Sequence, residues 1–269
     1  MDIYEKEYCI TVGDVDKSQG VKPSYLFEVF QEITTIDGDR QNIGIGQLQQ
    51  FGMAWVLSRL SVVVDKRPMF GQTVKASTWP RGPEKLFMLR DYLIKDKSEE
   101  VVVRARSRWL LLDTEKRRPL RPSALPIPVP LNDGCDALIC DYVPAKREGL
   151  QKVMERTAVY SDLDFNGHVN NSRYIQWVQD AVDPKLIEDA DKMRIDINYV
   201  SEIRIGETLN MFCAPFTCEA ENANKICGCN SFAADEWNND GITKIAIEGI
   251  KKCDGQSSFR AELRLNGTQ

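Results

Sequence analysis

With 269 residues, 42% hydrophobic and 28% charged, the chain is long enough to bury the cores of two domains, and no apolar run in it approaches the roughly 20 residues needed to span a bilayer. A formal net charge of -5 argues against general binding of nucleic acid, which calls for a basic surface. Eight cysteines without a C-x-x-C pair, and a single histidine, leave little for a zinc site, so free thiols and no metal are expected.

The N-terminus, MDIYEKEYCITVGD, has neither the basic start and apolar core of a secretion signal nor the acid-poor character of a transit peptide, so a cytoplasmic protein is expected. Residues 12–33 (VGDVDKSQGVKPSYLFEVFQEI) read as a polar loop running into a helix. The stretch 52–80 (GMAWVLSRLSVVVDKRPMFGQTVKASTWP) is dense enough in apolar and β-branched residues for two strands joined around Phe70 and Gly71. The G-x-G at Gly44–Gly46 lacks the rest of a dinucleotide fingerprint and reads as a turn after the helix. Two long strands follow in 86–113 (LFMLRDYLIKDKSEEVVVRARSRWLLLD). Next comes TEKRRPLRPSALPIPVPLNDG, where five prolines between Pro119 and Pro130 exclude a central strand and predict an extended linker over the surface.

Residues 159–181 (VYSDLDFNGHVNNSRYIQWVQDA) then repeat the opening pattern. Residues 12–33 lie without a gap over 160–181, with Asp14, Asp16, Val21, Ser24 and Gln31 identical to Asp162, Asp164, Val169, Ser172 and Gln179. Tyr174, Ile175, Trp177, Val178 and Ala181 recur at the spacing of one helix face, and Asn170 or Asn171 would cap that helix. The segments 193–215 and 245–265 repeat the strands of the first half, with an insertion around residues 220–241. A helix followed by antiparallel strands, twice, is an α+β plan in which a sheet wraps a helix. The expected division is an N-terminal domain over 1–118, a linker over 119–150 and a C-terminal domain over 151–269.

Chemistry concentrates in the second copy. Asp162, Asp164, Asn166 and His168 alternate through its loop, and in an extended backbone they would project to one side. The start of the following helix would favour an oxygen gaining negative charge. The same residues also suit a capping loop that satisfies its own backbone, and the residues alone leave both readings open. No G-x-S-x-G elbow presents a serine nucleophile.

The string D-x-D-x-N-G-H-V-N-N-x-x-Y, Asp162 to Tyr174, resembles the active-site loop of the acyl-acyl-carrier-protein thioesterases of bacteria and plant plastids. The resemblance implies two tandem hotdog domains and hydrolysis of a fatty acyl thioester to free acid, which ends fatty acid synthesis. It puts catalytic function on Asp164, Asn166, His168 and, in the segment YVSEIRIGE, Glu202. Plant members carry a cysteine after that glutamate where this chain has Ile203, so a thiol nucleophile is not expected. In the first copy Ser18, Gly20 and Arg67 stand where Asn166, His168 and Glu202 do, so that half is expected to be a scaffold. The family places its acyl cavity there, and Leu26, Phe30, Met53 and Trp55 are the candidates to line it, with Ile33 and Leu57 beside them.

No cofactor is expected, and the expected partner is the acidic acyl carrier protein, the chain itself being a monomer or homodimer. Arg104, Arg106 and Arg108 share one face of a strand, and with Arg117 beyond them they are the candidate carrier-docking surface; a charged, solvated sheet edge is the plainer alternative. Rival readings are an acyl-CoA thioesterase, a hotdog hydratase or dehydratase, and a non-catalytic module that binds acyl carriers.

Overall fold

The computed structural model describes residues 2–129, 131–132, 137–138, 140–145, 147–215, 237 and 241–267. Its first half holds strands β1 (Tyr4–Cys9), β2 (Met53–Val64), β3 (Thr73–Glu84), β4 (Phe87–Lys95), β5 (Val101–Asp113) and a short β6 (Arg118–Leu120), with helices α1 (Pro23–Arg40) and α2 (Ile45–Gln50). Its second half holds β7 (Gln151–Thr157), β8 (Ala190–Tyr199), β9 (Thr208–Pro215), β10 (Ile242–Lys251) and β11 (Ser257–Gly267), with α3 (Asn171–Asp180) and α4 (Pro184–Glu188). Most of the inserted region around 220–241 lies outside the described residues.

All named strands join one antiparallel sheet in the order β1-β3-β4-β5-β2-β8-β11-β10-β9-β7, with β6 paired to β5. Read outward from the central β2–β8 pair, the two halves have the same order, so the sequence repeat is a structural repeat. The seam runs in register from Arg59 opposite Asn198 to Val64 opposite Met193.

Helices α1 and α3 pack against each other on one face of this sheet. Pro23 begins α1, where its missing N–H costs nothing. Asn170 caps α3: its Oδ1 accepts from Ser172 N at 2.9 Å. The buried face of α3 carries Tyr174, Ile175, Trp177 and Val178, at the spacing the sequence predicts. With Phe30 and Ile33 of α1 and Val62, Ile195 and Phe259 of the strands they form one core that belongs to both halves. Each such side chain contributes roughly 1.5–3 kcal/mol on burial, so separating the halves would expose a large apolar face. Gly44, read from sequence as a turn residue, stands at the start of α2, where a Cβ would lie 1.8 Å from Asp39 Oδ1.

Among the described residues of the linker, Ala137, Leu138, Cys140 and Val143 are buried, where the chain crosses the outer face of the sheet. Side chains of the sheet satisfy its backbone: Ser61 Oγ accepts from Asp141 N at 3.0 Å, and Asn198 Nδ2 donates to Val143 O at 2.9 Å.

That cover corrects the docking surface. Arg104, Arg106 and Arg108 do share a face, but Arg106 and Arg108 are buried, and each of the three meets an acidic residue. Arg106 Nη2 donates to Asp91 Oδ2 at 2.6 Å, Arg108 Nη1 to Glu84 Oε1 at 2.6 Å, and Arg104 grips Asp65 through Nε at 2.9 Å and Nη2 at 3.0 Å. Guanidiniums engaged in this way hold neighbouring parts of the sheet together and are not an open face for an acidic partner. Arg117, in the turn before β6, remains exposed.

Candidate active site

Residues 160–170 lead into α3 as a compact, folded-back turn. Asp164 N donates to His168 O at 2.8 Å and Gly167 N to Asp164 O at 3.0 Å, with Gly167 at φ +78°, a conformation that favours glycine. The loop is therefore not extended, and the four alternating polar residues do not share one side. Asp162 is buried and its Oδ2 accepts from Val159 N at 2.9 Å. Asp164 Oδ1 accepts from Asn166 N at 2.8 Å and His168 N at 3.3 Å, so this carboxylate shapes the turn. Asn166 is exposed at the tip.

The irregular segment after β8 brings Glu202 to this loop. Val169 N donates to Ile203 O at 2.9 Å, and His168 and Arg204 form an isolated antiparallel bridge. Through these contacts His168 Nε2 comes within 3.2 Å of Glu202 Oε2. The pair sits beside the N-terminus of α3, where backbone N–H groups and the helix dipole favour negative charge. An imidazole paired with a carboxylate can pass a proton, and the adjacent helix start can hold an oxyanion. Ile203 is fully buried, so the side chain that follows the glutamate points into the core and away from the pair.

The matching place in the first half is filled differently. Gly20 stands where His168 does, and a Cβ there would lie 2.5 Å from the Arg67 guanidinium carbon. Arg67, in the position of Glu202, occupies that gap and donates to Asp16 Oδ2 at 2.5 Å, Val21 O at 3.0 Å and Ile187 O at 3.1 Å. The last bond ties the first-half loop to α4 of the second half. The Asp16 carboxyl lies below its ordinary range: burial works to raise it, but hydrogen bonds from Ser18 and Arg67 outweigh that.

A narrow cleft runs from the start of α3 at Asn171 and Ser172 along α1 toward Tyr92 and Ser107. Of the side chains expected to hold an acyl chain, Phe30 and Leu57 line it. Leu26 packs into the shared core, and Met53 and Trp55 lie near the start of β2, where the Trp55 indole N–H donates to Ile43 O at 3.1 Å; these three do not line the cleft. Two features were missed in the sequence. Phe27, Gln31 and Thr34 follow the same helix face as Phe30, a signal visible in the spacing. The polar end, where Thr34 Oγ1 and Tyr92 OH lie 2.8 Å apart and Tyr92 OH and Ser107 Oγ 2.9 Å, depends on strand pairing and leaves no local signal.

Comparison with known proteins decides the family. Residues 1–123 match the model of the acyl-ACP thioesterase N-terminal domain and residues 146–258 that of the acyl-ACP thioesterase C-terminal domain. The chain belongs to the acyl-ACP thioesterase family. Palmitoyl-acyl carrier protein thioesterases from chloroplasts of Cuphea hookeriana and Arabidopsis thaliana are 29% and 30% identical to it over 60% and 63% of this chain. Those matches span 41% and 43% of the relatives, so the chain aligns with less than half of their length. The crystal structure of an acyl-ACP thioesterase from Bacteroides thetaiotaomicron superposes with a TM-score of 0.77 at 22% identity, over 98% of both chains. The 12:0-ACP thioesterase from Umbellularia californica gives 0.71 at 19%, over 99% of this chain and 98% of that one. The antiparallel sheet wrapped on few helices is of the hotdog type these thioesterases share.

Proposed function

We propose that this acyl-ACP thioesterase family member hydrolyses a fatty acyl thioester carried on acyl carrier protein, releasing free fatty acid and the carrier thiol in the cytoplasm and ending chain synthesis. The observation that carries the proposal is His168 Nε2 3.2 Å from Glu202 Oε2, beside a helix start that opens on an apolar cleft. In this reading Glu202 takes a proton from water as its oxygen attacks the thioester carbonyl, and the N-terminus of α3 holds the oxyanion. The carbon–sulfur bond then breaks, and His168 delivers the proton to the leaving sulfur. Asn166, at the loop tip, orients the reacting group. Asp164 supports the turn that presents His168, since its Oδ1 is engaged by two backbone N–H groups. The acyl chain extends along α1 past Phe30 and Leu57.

The repeat and its mirrored strand order support two tandem hotdog domains, 1–118 and 151–269, joined by the linker 119–150. Fused in this way, they make the paired sheet within one chain. The test is turnover of one acyl group on acyl carrier protein and on coenzyme A, across chain lengths. Faster release from the carrier protein supports the proposal; equal or faster release from coenzyme A replaces the carrier, and tight carrier binding without free acid replaces the activity.

A further inference from the structure

The repeat sets Gln31 of α1 against Gln179 of α3, and the two glutamines do different work. Gln179 Oε1 accepts from Ser24 N at 2.6 Å, so α3 supplies the cap for α1, whose own Lys22 provides none. By symmetry Gln31 would accept from Ser172 N, but that N–H is already held by Asn170 Oδ1 at 2.9 Å. Gln31 Oε1 is left buried with no hydrogen-bond partner, in a side chain that lines the cleft beside Asn171 and Ser172. An acceptor shut away in this manner is costly unless a ligand brings a donor to it.

The chemistry of the reaction narrows that donor. At the reacting end of an acyl thioester the carbonyl oxygen and the sulfur only accept. The attacking water is the participant there with O–H groups to give. We propose that Gln31 Oε1 accepts a hydrogen bond from this water, so that the half lacking the histidine–glutamate pair supplies a catalytic residue to the site in the other half. One O–H of the water is held by Gln31 while the other faces Glu202. On attack the second proton moves to Glu202 and its electron pair forms the new C–O bond. The electron pair of the broken C–S bond leaves on sulfur, which is protonated through His168, and the proton held by Gln31 stays on the carboxylic acid until that ionises. This inference rests on the thioesterase reading above.

The experiment compares Gln31→Met, which keeps the shape and removes the acceptor, Gln31→Glu, which keeps an acceptor oxygen, and Gln179→Met at the matching place. The readouts are kcat and KM on acyl-carrier-protein thioesters, and Tm. Gln31→Met is expected to lower kcat about tenfold or more with little change in KM, because an unheld water spends less time in line for attack. Its Tm should hold or rise, because a buried unsatisfied group is gone. Gln31→Glu should recover much of the rate, whereas Gln179→Met should lower Tm by uncapping α1 and leave kcat near that of the wild type. Wild-type kcat in Gln31→Met, a fall in its Tm like that of Gln179→Met, or a Gln31→Glu rate no better than that of Gln31→Met overturns the assignment. A wild-type protein that hydrolyses no acyl thioester sinks the parent reading instead, and is seen before any variant is made.

Discussion

Removing either member of the His168–Glu202 pair separates chemistry from stability, because the two side chains are 27% and 59% exposed and neither carries the core. An ion pair at such a surface contributes about 0–1 kcal/mol, so His168→Ala and Glu202→Ala should each move Tm by no more than a few degrees. The rate should respond on another scale. Loss of acid–base help costs about 10²–10⁴ in rate, which at 1.36 kcal/mol per decade is about 2.7–5.4 kcal/mol of barrier. The 3.2 Å contact adds a further expectation. If the proton taken by Glu202 leaves through His168, the residues act as one unit, and the double variant should be little worse than the poorer single one. The assay is kcat/KM on an acyl-carrier-protein thioester for the wild type, both single variants and the double variant, with Tm recorded for each. Most of the activity surviving in a folded single variant would remove that residue from the mechanism. Losses that multiply in full in the double variant would show independent roles and refute the relay.

The unequal copies predict that Ser18→Ala leaves turnover nearly unchanged while Asn166→Ala lowers it about a hundredfold or more; similar losses at the two matching positions would show that both halves react. Asp16→Asn should lower Tm at neutral pH by breaking the pair with Arg67, by roughly 2–4 °C for each kcal/mol lost. Because the folded carboxyl lies below its ordinary value of about 3.9, the stability it contributes is present above about pH 4 and is lost as pH falls through the folded value. The Tm gap to the wild type should accordingly shrink below about pH 4, and a gap constant with pH would disprove the pairing. Leu57→Phe, which narrows the cleft, should shift products toward shorter acyl chains, since each methylene denied burial loses about 0.8 kcal/mol; an unchanged product profile would place the acyl chain elsewhere. Alkylation of accessible thiols such as Cys9 and Cys253 should leave hydrolysis intact, and inactivation that substrate prevents would restore a thiol to the mechanism.

Much of this protein was legible in its sequence because the signals were local. Turn residues and β-branched runs marked β2 to β5 and β8 to β11, helix spacing marked α3, and the gapless repeat announced two halves built alike before any strand was placed. The loop from Asp162 to Asn171 stood out by its residue types alone. What tertiary structure decided were relations between segments far apart in the chain. The alternation of Arg104, Arg106 and Arg108 put them on one face, but only folding showed that Asp65, Asp91 and Glu84 meet them there and that Ala137, Asp141 and Val143 of the linker pack against the sheet. The loop of Asp162 and Asp164 turned back on itself because backbone N–H groups took both carboxylates, a competition that periodicity does not register. Met53 and Trp55 have the composition of a pocket wall, yet strand position placed them beyond the cleft, which drew its polar end from α1, β4 and β5. The 3.2 Å between His168 and Glu202, and the Arg67 guanidinium in the gap left by Gly20, likewise arise from strand pairing across the chain. Residue type and spacing determine what a segment can form; which side chains come to share a space depends on the register and packing of segments that sequence order keeps apart.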